Sequence, residues 1–78
     1  MTTPSERTSA ILRTAKFLEK LATAEGVSEG IRREAAGLAR HFPRPYDIEL
    51  VAAVMDKVND PSVYPIFSID APDLNHSR

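Results

Sequence analysis

Seventy-eight residues with a net charge of −1 make one small domain, and give no global pull toward nucleic acid or an anionic membrane. The chain has no cysteine, which excludes a disulfide framework and a thiolate zinc site. Its longest apolar run, residues 50–55, falls far short of the roughly 20 residues that span a bilayer.

Thr3-Pro4-Ser5-Glu6 has the form of a capping box, with threonine at the N-cap, proline at the first helical position and glutamate at the third. A helix is predicted from there to about Ala24, with Gly26 placed to end it in a left-handed conformation. Ile11, Ala15, Leu18 and Ala22 form its apolar stripe, while Arg13, Lys16 and Lys20 lie opposite. Ser28 is a second cap. After it, Ile31, Ala35, Leu38, Ala39 and Phe42 fall within roughly a 100° arc of one helical face, which predicts a second amphipathic helix ended by Pro43 and Pro45. Glu29 precedes Arg33 by four residues, the favourable order for an exposed ion pair.

Asp47 is the expected cap of a third helix reaching about Val58, with Leu50, Val51, Val54, Met55 and Val58 on one buried side. The valines make a strand the competitor, but Ala52 and Ala53 break any period of two. Beyond Asp60 the character changes. Pro61, Pro65 and Pro72 forbid a regular helix, yet Val63, Tyr64, Ile66, Phe67 and Ile69 are too apolar for a disordered tail. An extended apolar arm is expected to dock either on its own helices or on another chain. The expected fold is therefore all-α, a small three-helix assembly with residues 1–70 as one domain and 71–78 as a polar, frayed tail.

Glu6-Arg7-Thr8, Phe17-Leu18 with Leu21, and Ile31-Arg32, Ala35, Leu38 and Arg40-His41-Phe42-Pro43 resemble a group of short bacterial proteins with no established activity. In that group an "ERT" opening precedes an "FL..L" helix and an "R..A..L.RH(F/Y)P" helix. Pro65-Ile66-Phe67-Ser68 is similar to the "PVFS" piece such proteins carry near the end. The chain departs from the pattern at Ser9 and at Arg44-Pro45-Tyr46. The likeness implies size, a bacterial intracellular setting and helical make-up, and it brings no catalytic residue.

Arg7 projects along the apolar stripe of the first helix, where a guanidinium needs a carboxylate or several carbonyls. A structural ion pair with Asp47, Glu49 or Asp70 is the expectation. His41 stands at the edge of the second helix's buried face as a structural or exposed side chain. The other histidine, His76, lies in the tail, so no ligand spacing for a metal emerges. Ser68, Asp70 and His76 have the atom types of nucleophilic chemistry but sit on the arm, and the chain carries no Gly-rich phosphate cradle. No enzyme, cofactor or metal is expected.

Residues 22–28 have the alanine, glycine, valine and serine spacing of a helix-turn-helix corner, although Arg32 stands where that motif's next apolar contact belongs. A DNA-binding regulator is thus the alternative function, weakened by the overall acidity. The principal expectation is a cytoplasmic adaptor or regulator that binds another protein or itself, a homodimer included. Arg33, Arg40 and Arg44 outside the second helix and Tyr64, Ile66 and Phe67 in the arm are its candidate partner-binding residues. Through Pro45 eight basic residues face five acidic ones; afterwards two face six, an asymmetry suited to attraction within the fold or between chains.

Overall fold

The capping box at Thr3 forms as its residue types require. The Thr3 hydroxyl accepts from the Glu6 amide at 3.1 Å, and the Glu6 carboxylate accepts from the Thr3 amide at 2.8 Å. In the computed structural model, which describes residues 2–58, 62 and 65–75, this box starts α1 (Pro4–Ala22). The remaining elements are α2 (Glu29–Arg40), α3 (Pro45–Lys57) and a short α4 (Pro72–Asn75). The architecture is all-α, with no strand among the described residues; residues 48–57 are helical rather than extended.

α1 ends at Ala22, two residues before the expected limit, where the Thr23 and Ala24 amides turn back to the Lys20 and Leu21 carbonyls. Gly26 takes φ +79° in the following turn, the left-handed geometry that favours glycine. The Ser28 hydroxyl accepts from the Ile31 amide at 3.2 Å and so caps α2. Asp47 caps α3 from its third position and is not the N-cap residue itself, which is Arg44. Pro45 occupies the first helical position, where its missing N–H costs nothing, and Asp47 stands in the first turn, accepting from the Arg44 amide at 2.9 Å. The proline pair that stops α2 therefore also starts α3.

Two expected burial directions are corrected. α2 buries Ala35 and half-buries Ala39 and Phe42, but Ile31 and Leu38 remain exposed. α3 turns Ile48 and Ala52 inward, so Leu50, Val51, Val54 and Val58 face solvent and only Met55 of the expected stripe is half-buried. The core beside α1 is completed from the C-terminal side. Ala71 and Leu74, assigned above to a frayed tail, are completely buried and form the core cluster with Leu12 and Ile48, with Ile11 and Phe67 packed against it. Pro72 opens α4 at its first position instead of forbidding it.

Leu74→Ala is expected to cost about 2–4 kcal/mol, a large share of the stability of so small a domain. Urea unfolding checks this, and an unchanged midpoint would restore the frayed tail. The Thr3 amide and hydroxyl hold the Glu6 carboxyl below its ordinary value of 4.5, with the Arg7 charge contributing. A depressed carboxyl stabilises the fold above its unfolded-state pKa, and that contribution disappears as pH falls through the folded-state value. Thermal melts should therefore show the stability gap between wild type and Glu6→Gln narrowing as pH falls below 4.5; a gap independent of pH would contradict the capping role.

Candidate functional site

Arg7 and Thr8 tie the C-terminal arm to α1. The Arg7 guanidinium donates to the Ile66 carbonyl at 3.0 Å and the Pro65 carbonyl at 3.3 Å. It also donates to the Thr2 carbonyl and hydroxyl at 2.8 and 3.0 Å. Carbonyl oxygens, besides carboxylates the groups that satisfy a partly buried guanidinium, thus hold Arg7 to the arm and to the N-terminus. Thr8, the next residue of the helix, is wholly buried. Its hydroxyl donates to the Pro4 carbonyl at 2.8 Å and accepts from the Ser68 amide at 3.0 Å.

These bonds assign most of the arm's polar groups to structure. The Ser68 hydroxyl accepts from the Asp70 amide at 3.1 Å, so it closes a turn. His76 and Tyr64 lie outside the described residues. Phe67 is half-buried against the core, whereas Ile66 is exposed. Arg33, Arg40 and Arg44 are all exposed; Arg33 pairs with Glu29 at 2.9 Å, as the spacing predicts, and Arg44 precedes α3. His41 is exposed at the C-terminal end of α2, and Arg32, at the helix-turn-helix contact position, is half-buried.

Three clefts border α1. One of about 140 Å³ lies between Lys16, Glu19, Phe42, Arg44 and Asp73, and one of about 230 Å³ between Pro4, Ala52, Asp56, Phe67 and Asp70. A shallower one of about 280 Å³ lies along Arg13, Lys16, Phe17 and Lys20. All three fall below the roughly 300 Å³ at which pockets for small organic ligands begin. No group of three His, Asp or Glu side chains suited to a metal occurs among the described residues.

The feature that sequence periodicity identified as a face, but assigned to the core, is the outer side of α3. Tyr46, Leu50, Val54 and Val58 follow one another at steps of four, with Val51 beside them, and are 73, 53, 55, 43 and 44% exposed in that order. At 100° per residue these five span roughly 140°, and the only ionisable side chains inside the arc are Asp47 near one end and Lys57 near the other. Five of the ten exposed large apolar side chains of the described chain are thus on a single helix face. Comparison with protein families, with curated proteins and with solved structures finds no match for this chain.

Arg7→Ala is expected to lower stability by about 1–2 kcal/mol and to release the arm, since two of its lost acceptors are arm carbonyls. Limited proteolysis at the arm checks it, and cleavage no faster than in wild type would contradict the tether.

Proposed function

We propose that this chain is a non-catalytic protein that works by protein–protein contact, as an adaptor or regulator docking through the outward face of α3. The observation that carries the reading is the unbroken apolar row Tyr46, Leu50, Val54 and Val58 on a helix whose opposite side already supplies Ile48 to the core. Single exposed apolar residues are ordinary; a contiguous row rimmed by charge marks an interaction surface. The partial exposures amount to an apolar patch on the order of 400–500 Å², within the range of functional patches on monomeric proteins.

Shape agrees with that reading. The radius of gyration is 14.9 Å, against roughly 11–12 Å for a compact chain of this length. A chain with so thin a core gains stability from whatever covers α3, because binding to the folded state alone draws the folding equilibrium with it. Of the expected partner-binding residues, Arg44 stands at the head of α3, exposed and next to Tyr46 in sequence, and is suited to extend such a contact.

A photo-crosslinking side chain at Val54, in the cell that makes the protein, should give an adduct of discrete mass that disappears when Leu50→Asp is added. The same probe at exposed Glu25 should give none. Equal labelling at both sites, or no adduct at Val54, would overturn the proposal.

A further inference from the structure

We infer that the occupant of the α3 face is a second copy of this chain, bound antiparallel about a two-fold axis at the level of Ala52. The inference rests on the docking role proposed above and supplies its partner. It comes from the order of residues along the face. Reversed about Ala52, Tyr46 exchanges with Val58, Leu50 with Val54, and Asp47 with Lys57. Apolar positions exchange with apolar positions, and the one acid exchanges with the one base. An isologous interface needs this self-complementarity, since the same patch must serve both subunits.

The alternatives meet opposition. A parallel pair would set Asp47 against Asp47 and Lys57 against Lys57, and would align the two helix dipoles. The antiparallel pair places each Asp47 at the level of Lys57 of the second copy and each helix N-terminus beside a C-terminus. Rows at steps of four are also the ridges with which two helices pack most often. Doubling the patch gives about 800–1,000 Å² of total buried surface, the range of weak, reversible interfaces. A net charge of −1 per chain offers little repulsion to the pair.

Sedimentation of the purified full chain from low-micromolar to near-millimolar concentration tests the inference. The expected result is a reversible shift from the 8.6 kDa chain to a species of twice that mass. Lys57→Asp and Asp47→Lys chains should each dimerise at least tenfold more weakly. An equimolar mixture of the two should recover a heterodimer, because both cross-pairs are then attractive. Circular dichroism confirms that each variant is helical, and Leu50→Glu supplies a second monomerising change that leaves the cap of α3 intact. Because the natural chain has no cysteine, a Tyr46→Cys chain can report register: it should oxidise with a Val58→Cys chain and not with itself.

A strict monomer at near-millimolar concentration, or Tyr46→Cys linking to itself, would overturn the antiparallel dimer. So would a dimer indifferent to Leu50→Glu, or a charge-reversed mixture that gains nothing. The docking role has its own readout: a Val54 adduct with a protein of another mass would leave it standing while the self-pairing fell.

Discussion

The buried Thr8 hydroxyl is the joint on which this small fold turns. By accepting from the Ser68 amide while donating to the Pro4 carbonyl, it fixes the arm along α1. Arg7 holds the preceding carbonyls of the arm. With the arm so placed, Ala71 and Leu74 close over Leu12 and Ile48. That closure decides how α3 is rotated: with the C-terminal turn filling the core, α3 contributes Ile48 and Ala52, and its valines are left outside.

The consequence is an imbalance between core and surface. A chain of this length has little apolar area to bury and no disulfide to compensate. Here the completely buried residues are small or few, Ala52, Ala71 and Leu74 with Thr8, while a row of larger side chains on α3 stays in water. Under the proposed docking role, stability and binding are linked in one physical quantity, because whatever covers the α3 face also adds the apolar burial that the isolated chain lacks.

Local signals in the sequence were legible and largely sufficient for the helices. Thr3, Glu6 and Ser28 form the bonds that their residue types imply, and Glu29 meets Arg33. Periodicity located the apolar faces of α2 and α3 but not their orientation. A row at steps of four states that a helix has an apolar side; it does not state whether the covering partner belongs to the same chain. Ile31 and Leu38 on α2, and Leu50, Val54 and Val58 on α3, were misassigned to the core for that reason. Ala71 and Leu74 were missed for the opposite reason. Two apolar residues among polar neighbours show no period, and Pro72 resembles a breaker until it is seen to open a helix. Arg7 was legible as a residue in need of oxygen acceptors, but nothing in the sequence marks which carbonyls of the arm it reaches.

Solvent paramagnetic relaxation of the side-chain methyl groups, followed by NMR as a function of protein concentration, tests the central claim most directly. The account predicts that in dilute solution the Leu50, Val54 and Val58 methyls relax as fully wetted groups while Leu74 is shielded. On concentration, the three α3 residues should become shielded together and Leu74 should not change. Methyl groups on α3 that are shielded at every dilution would show that the chain covers this face by itself, and the account would fail.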